Sequence, residues 1–508
     1  MQGWVGRVTR LAYYLTDVGS TSGSLVNQER VNTRSPIGEW TDLIRQCRVA
    51  GFAVRLRVLA LPPAVGVFVK PFLLLLSACC LACQPLSALA WSNHALGSQL
   101  ALQALPELQR SLSYEPLEAF LDAQAPAIEQ LLDEQEAFAR EHFPDYPARP
   151  DALRFEAAST PPEQHRAAFL QALRVNPQIR LAGFVQQLPG QTDDGRPRLT
   201  AEQVLVFRKI GPWSHWRYLA LQPGEAVSAL QVLSSAADEP DYGHDINLFS
   251  DNPGEVGGQY NFGVQPFGDA RFEYSSQAPF HIGYYHEPAL VFQAAPYLRR
   301  TLPHWRIYQY TGLARLALAS GHDYWGYRFL GWALHYMQDL TQPYHAKTVP
   351  GFSTPELMLI ALKGAVGYPA DRLATIARVA DRHTAIEEYQ LERMQQLMDK
   401  QTAAPLLQAY AQNPADDYPT YSVDYAQQVV AAEAYASADA LDELIGQWLT
   451  RKPAAAAGFS GGNQLAQTQA DPLLEQLLVE LFKRFGAHSR NVVQTTLVQV
   501  PSVTKAAE

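Results

Sequence analysis

The chain has no cysteine after residue 83. Its four cysteines lie near the start of the 508 residues, at Cys47, Cys79, Cys80 and Cys83. Disulfides and thiolate metal sites both need cysteines inside the folded domain. A domain built from the rest of the chain therefore has neither, and any metal that it binds is held by nitrogen and oxygen ligands.

Positive charge is also scarce. Lys and Arg number 40 against 50 Asp and Glu, which gives a net charge of -10. Proteins that hold a nucleic-acid duplex by its phosphates depend on clustered Lys and Arg, so the charge argues against that class. A nuclease that holds phosphate through metal ions remains allowed. Hydrophobic residues make up 47% of the chain, enough for a sizeable globular core.

The apolar run at residues 71–83 has the features of a secretory signal. Arg55, Arg57 and Lys70 precede it, and the sequence Ser-Ala-Leu-Ala follows at 87–90. A basic region, a short apolar core and a small-x-small end predict cleavage after Ala90, so that the mature chain begins at Trp91. We therefore expect an exported protein, periplasmic or secreted.

Two other interpretations of this run stay open. A membrane anchor is the first, although the run is shorter than the about 20 residues that a spanning helix needs. The second is a lipoprotein signal with lipid on Cys79, which leaves Trp91 internal and places the protein at the cell surface. Residues 1–50 are atypical of a signal peptide, and Met1 is the only methionine before position 337, so a start downstream at a non-Met codon also stays open.

Helical periodicity dominates the chain after residue 90. Apolar residues recur at helical spacing over 100–140, 297–337, 355–366, 369–400, 403–412, 424–449 and 472–486. This predicts a mainly α domain over 91–450, preceded by a targeting region at 1–90. Residues 250–281 are predicted to form a long loop, because they are rich in Gly, Pro and aromatics. Residues 451–508 are predicted to form a linker and a loosely attached helical tail.

Two short motifs carry the candidate chemistry. In the sequence LGWALHYMQDLTQPYHAK, His335 and Asp339 lie four residues apart, on one face of a predicted helix. Pro343 ends that helix, which allows His345 to face the same cavity from another direction. The second motif repeats the spacing with His383 and Glu387.

One His with an acidic residue four positions on is common on solvated helices and alone indicates little. Two such pairs with His345 between them are more specific. The first pair also lies in an apolar sequence, where burial without a metal or partner is costly. The pattern therefore favours metal binding.

The segment HYMQDLTQPYH resembles the signature of the family that includes bacterial zinc phospholipases C and fungal single-strand-specific nucleases. In that family a helix carries H-x-x-x-D and a downstream Q-P-x-H supplies another ligand. The resemblance covers residues 91–98 and 235–450 and gives no guidance for 99–234, which is expected to be an insertion. It implies a multi-helix zinc phospholipase C-like domain with long loop insertions and three zinc ions.

The resemblance also implies how the ligands divide among these ions. The free amine and the carbonyl of Trp91 are expected to bind one zinc together with His94, although three residues is a shorter separation than the family shows. Asp339 is expected to bridge from that zinc to the buried zinc held by His335. The remaining zinc is assigned to His345, His383 and Glu387.

The buried zinc then needs an Asp and a His from upstream. Asp241 is our choice for the carboxylate, which is also expected to orient or deprotonate the attacking water. Asp245, Asp238 and Asp269 are its rivals. His281 is chosen over His286, because its small-Pro-aromatic-His context is closer to the family pattern.

Three functions remain after this comparison. Phospholipase C-type cleavage of phospholipids is favoured, because the mature chain lacks the disulfides of many family nucleases and its long aromatic loop suits a lipid surface. Cleavage of single-stranded nucleic acid is the alternative within the same chemistry, with Asp241 and Asp339 as catalytic carboxylates in both. A non-catalytic zinc-binding scaffold is the third.

Overall fold

The structure is a computed structural model that describes residues 91, 93–192, 194–207, 216–270, 273–400, 402–414, 417–451 and 469–500, together with two short strands nearer the N-terminus. The chain divides into two units, residues 1–70 and 71–508. In the first unit, β1 (Cys47–Val49) and β2 (Phe52–Val54) pair antiparallel. The predicted signal segment at 71–90 lies outside the described residues.

The second unit is mainly helical, as predicted. Of the described residues, 61% are helical and 4% are strand. The described helices are α1 (His94–Leu102), α2 (Leu117–His142), α3 (His165–Leu173), α4 (Ala229–Ala236), α5 (Val256–Tyr260), α6 (Glu273–His281), α7 (Ala289–Ala294), α8 (Pro303–Ala319), α9 (Asp323–Asp339), α10 (Pro343–Ala346), α11 (Thr354–Ala365), α12 (Ala370–Asp399), α13 (Pro405–Ala409), α14 (Ala432–Arg451) and α15 (Pro472–Val498). None of them combines the length and the apolarity that crossing a bilayer requires.

Two small sheets lie within residues 99–234, the segment that the family resemblance does not cover. β3 (Ser111–Ser113) pairs antiparallel with β7 (Ala226–Ser228). The central strand of the other sheet is β6 (Arg217–Ala220), which pairs antiparallel with both β4 (Phe184–Gln187) and β5 (Arg198–Leu199). β4 contacts α4, so this region is joined to the helical core.

Helix α9 is the centre of the fold. Every residue from Tyr324 to Asp339 is buried, which explains why its sequence is apolar nearly all round. It packs most extensively against α8, and also against α4 and α15. Its buried Arg328 is neutralised by Glu239, which accepts hydrogen bonds from Arg328 Nε and from Trp332 Nε1. The helix that carries the first motif is thus held from several sides.

Two regions differ from the sequence prediction. The predicted loop at 250–281 contains α5 and α6, and α6 accommodates Pro279 within it and ends at His281. The expected loosely attached tail contains a 27-residue helix, α15, which packs against α1 and α9. Leu474, Leu478 and Phe482 on α15 are fully buried, so this helix is part of the core.

We expect Gly331→Ala to destabilise the protein. A Cβ at Gly331 lies only 2.5 Å from the carbonyl oxygen of Leu233 and 2.6 Å from Ala236 Cβ, so α4 and α9 must separate. Overpacking of this kind costs about 1–3 kcal/mol of unfolding free energy, measurable by denaturant titration. Gly258→Ala, in the open surroundings of α5, is the matched control, and an equal effect of the two changes contradicts the prediction.

Candidate metal centre

Eight side chains named from the sequence come together in the core. They form three groups, two of which share His335, and within each group the ligand atoms lie within 4.8 Å of one another. The groups are His94, Asp241 and His335; His281, His335 and Asp339; and His345, His383 and Glu387. All eight residues are at most 6% exposed. The protein thus has buried His, Asp and Glu clusters that could bind metal.

The first cluster is a compact group of four ligand atoms. His281 Nδ1 lies 2.8 Å from Asp339 Oδ2 and 3.0 Å from His335 Nε2. His335 Nε2 lies 3.3 Å from Asp339 Oδ2 and 3.7 Å from Asp241 Oδ1. Asp241 Oδ1 also lies 3.8 Å from His281 Nδ1. These five distances join four ligand atoms, with His281 and His335 each lying near both carboxylates.

Asp339 joins this cluster to His94. While its Oδ2 faces His281 and His335, its Oδ1 lies 3.3 Å from His94 Nε2. The opposite ring nitrogen of His94 lies 2.9 Å from Gln338 Oε1. Gln338 Nε2 donates to two serine hydroxyls, so its oxygen is directed at His94 Nδ1, which is therefore the donor. This leaves the His94 Nε2 lone pair directed at Asp339.

Backbone carbonyls orient two further histidines in the same way. His335 Nδ1 donates to the carbonyl of Ala237 at 2.7 Å, and His345 Nδ1 donates to the carbonyl of His281 at 3.0 Å. In both rings Nε2 is then the unprotonated atom that faces the cluster. Such hydrogen bonds from the distal nitrogen are characteristic of metal-binding histidines, because they fix the ring and its tautomer.

Asp245, a rival of Asp241 in the sequence, has a different position. Its Oδ1 accepts hydrogen bonds from Arg306 Nη2 at 2.5 Å and Nε at 3.1 Å. Its Oδ2 accepts from Tyr336 Oη at 2.5 Å and lies 3.6 Å from His281 Nε2, on the ring edge away from the cluster. Asp245 therefore positions His281 from behind.

The other rivals also lie outside the three groups. Asp238 Oδ1 accepts the backbone N–H of Ala95, in the first turn of α1. Asp269 is buried, and its backbone N–H donates to Ser275 Oγ. His286 Nε2 donates to the carbonyl of Gln427. Asp241 and His281 are thus the pair that the structure brings to His335 and Asp339.

The second cluster combines the end of the first motif with α12. His383 Nε2 lies 2.8 Å from Glu387 Oε1, one turn along α12. The His345 ring stands perpendicular to His383 at a centroid distance of 5.0 Å. Tyr344 stacks on His383, and its hydroxyl donates to the buried Asp442 at 2.9 Å.

Asp442 also fixes α12 itself. Its carboxylate accepts hydrogen bonds from Arg378 and from Arg382 Nη1, the latter at 2.6 Å. Both arginines precede His383 on α12. One carboxylate on α14 therefore sets the positions of α10 and α12, which carry the ligands of the second cluster.

The two clusters differ in their electrostatics. Burial lowers the pKa of His281, but the carboxylates of Asp339 and Asp245 outweigh burial and raise it to about 10. Burial raises the pKa of Asp339, but His335 and His281 hold it well below its usual range. In the second cluster burial dominates, so that the pKa of His345 falls to about 4 and that of Glu387 rises well above its usual value. The first cluster is therefore ionic, and the second is mainly neutral.

Trp91 lies beside the centre. Its indole is 1% exposed, donates from Nε1 to Thr341 Oγ1 at 2.8 Å, and packs edge-on against Phe482. Asn93 Oδ1 accepts from Leu96 and so caps α1, which starts at His94. Through Thr341, Trp91 is held just past the C-terminal end of α9, two residues after Asp339.

Most histidines outside the motifs have separate structural roles. His165 pairs with Asp122, His322 with Glu115, and His488 with Glu433 and Tyr425. His304 lies 2.6 Å from Tyr285 Oη, and the exposed His142 stacks on Phe138. His215 lies outside the described residues. The aromatics Trp325, Tyr327, Phe329 and Trp332 are buried in helix packing.

Sequence reasoning missed the residues that orient the ligands. Gln338, Arg306 and Asp442 are buried and bonded to ligands or to their neighbours. Only Gln338, which precedes Asp339, lies inside a recognisable motif. The partners of Arg306 and Asp442 are dozens of residues away, so local spacing carries no signal for them.

No protein-family model, curated protein or solved structure matches this chain. The candidate metal centre is therefore defined by the geometry of its own His, Asp and Glu clusters.

We expect metal loading to release protons. In the metal-free protein His281 is protonated at pH 7 because its pKa is about 10, and Glu387 has a raised pKa. Zinc ligands must be deprotonated, so loading at pH 7 should release about one to two protons from these groups, and affinity should rise between pH 6 and 8. Titration calorimetry in buffers of different protonation enthalpy measures this release. Loading without proton release contradicts the assignment of His281 as a ligand.

Proposed function

We propose that this protein is a zinc-dependent phosphodiesterase of the phospholipase C type. The observation that carries the proposal is the close grouping of His281, His335, Asp339 and Asp241, with Asp339 extending to His94. A buried group of two carboxylates and three histidines is costly unless a metal or matching protons compensate it.

The donor set fits zinc better than harder cations. Imidazole nitrogens and single carboxylate oxygens are zinc ligands, whereas Mg²⁺ and Ca²⁺ favour oxygen alone. Zinc–ligand bonds are about 2.0–2.2 Å long, so ligands at tetrahedral angles lie roughly 3.4 Å apart. The five separations measured between ligand atoms of the first cluster are 2.8–3.8 Å. His281, His335, Asp339 and Asp241 would hold one ion, His345, His383 and Glu387 a second, and His94 with Asp339 and the Trp91 backbone a third.

Zinc held by these residues supplies Lewis acidity toward phosphate oxygens and lowers the pKa of a bound water. Asp241 is proposed to orient the attacking water and take its proton. Its side chain is 8% exposed, whereas that of Asp339 is fully buried. Asp241 also lies 3.5 Å from the Gln277 side-chain amide, which restrains its carboxylate. Asp339 is proposed to hold the first and third ions at a fixed separation.

Export is proposed to complete the centre. Cleavage after Ala90 gives Trp91 a free amine, the group that the proposed third ion requires. The buried indole and the capped α1 support this proposal, because they hold Trp91 and His94 beside Asp339. The mature protein is proposed to act in the periplasm or outside the cell.

Changing the bridging carboxylate should abolish the activity. Asp339→Asn and His335→Ala each remove a proposed ligand from the first cluster, so hydrolysis should fall by about 10³-fold or more and each variant should lose zinc. Elemental analysis and a panel of phosphatidylcholine, single-stranded DNA and a chromogenic phosphodiester measure both effects. His142→Ala, on the exposed face of α2, is the control and should change neither. Full activity of Asp339→Asn would contradict the proposal that Asp339 is a ligand of two ions.

The same panel separates the three functions. Cleavage of phosphatidylcholine supports the phospholipase, and cleavage of single-stranded DNA alone supports the nuclease. Zinc binding without cleavage of any substrate identifies a scaffold.

The mature N-terminus can be read directly. Mass spectrometry of the exported protein should give a chain that begins at Trp91, and a version extended by one alanine should bind less zinc because its amine is displaced. A lipid-modified start at Cys79 excludes the Trp91 amine as a ligand.

A further inference from the structure

Helix α11 and the turn after it expose a concentrated apolar surface. Ten large hydrophobic residues are prominently exposed in the described part of the chain, and half of them lie within eleven residues. These five define the apolar surface: Met358 at 38%, Leu359 at 53%, Leu362 at 56%, Val366 at 63% and Tyr368 at 71% exposure. Met358, Leu362 and Val366 recur every four residues and so share one side of the helix.

The opposite side of α11 packs against the rest of the protein, which holds the helix in place. Leu357 packs against the hydrophobic cluster that contains Val291 and Leu298. α11 also contacts α12, and Ser353 with Glu356 forms a capping box at its start. The helix is therefore anchored on one side while its apolar residues face solvent on the other. Exposed apolar surface of this density marks an interaction site.

The charges around the apolar surface favour an uncharged partner. Residues 353–372 contain two acidic and two basic side chains, in a protein with a net charge of -10. Lys363 Nζ pairs with Asp371 Oδ2 at 2.8 Å, and Glu356 Oε2 accepts from Ser353 Oγ at 2.6 Å. Residues 353–372, all of which the structure describes, contain no cluster of basic side chains that would bind nucleic acid or anionic lipid. A zwitterionic phospholipid layer needs none, because apolar insertion supplies the binding energy.

A second copy of the chain is less well suited to this surface. A stable interface buries about 800 Å² on each partner. Five side chains that are about half exposed provide less, since even a large aromatic side chain offers only about 200 Å² in full.

The surface is connected directly to the candidate metal centre. Tyr368 lies two residues before α12, the helix that carries His383 and Glu387. From Ala370 to His383 the helix rises about 20 Å, and interfacial helices sink about 5–10 Å into a lipid layer. One helix therefore links the apolar surface to a proposed ligand of the centre.

We propose that the apolar surface of α11 docks the protein on a zwitterionic phospholipid layer and so brings lipid phosphodiesters to the metal centre. The docking depends only on this surface, whereas the delivery of substrate rests on the phospholipase function proposed above.

The test compares two double variants of the purified, zinc-loaded protein. Leu359→Gln/Leu362→Gln changes the apolar surface, and Leu473→Gln/Val498→Gln removes apolar side chains of similar or greater exposure elsewhere. Flotation with phosphatidylcholine vesicles should show at least about tenfold weaker partitioning for the first variant, a change of about 1.4 kcal/mol, and wild-type partitioning for the second. Vesicle hydrolysis should fall in parallel, while hydrolysis of a soluble chromogenic phosphodiester stays unchanged.

The possible failures are distinguishable. Equal partitioning of the two variants overturns the docking proposal, as does a wild-type protein that does not float. A wild-type dimer that only the first variant dissociates shows instead that the surface joins two copies, and selective loss of single-stranded DNA binding assigns it to nucleic acid. A wild-type protein that floats but hydrolyses neither substrate supports the docking and contradicts the phospholipase function.

Discussion

The burial of the Asp339 carboxylate is the constraint on which the centre of this protein depends. The side chain is fully buried, and both oxygens face histidine nitrogens. A carboxylate in such a place is stable only with compensating charge. His281 supplies it in the metal-free protein, since Asp339 and Asp245 raise its pKa to about 10. The same arrangement makes that ring available to a metal once its proton leaves.

Local spacing was sufficient to predict the parts of the site that lie on one helix. His335 and Asp339 share a face of α9, as His383 and Glu387 do on α12, because four residues nearly complete a helical turn. Pro343 begins the short helix that turns His345 toward α12. The mainly α fold followed from the same periodicity, which is strongest in long helices such as α9 and α12.

Choices that depend on distant partners could not be made from the sequence. Asp241 and Asp245 are four residues apart and chemically identical, and their roles are separated by Arg306 and Tyr336, which both bind Asp245. The same limit applies to α15. Its periodicity predicted a helix, but its place in the core depends on contacts such as Phe482 with Trp91, almost 400 residues apart. Tertiary contacts between separate segments decided both cases.

The two halves of the centre are supported in different ways, and this difference bears on access. The first cluster lies between α6 and α9 and is held by buried ions such as Arg306 with Asp245. The second depends on α12, of whose 30 residues only eight are buried. Elements with few buried contacts are those that open at low free-energy cost. Since α12 also leads to the apolar surface of α11, the more adaptable half of the centre is the one nearest the proposed lipid layer. His383 and Glu387 are themselves among the eight buried residues, and Asp442 holds α12 through Arg378 and Arg382, so any adaptation is confined to the exposed side of α12.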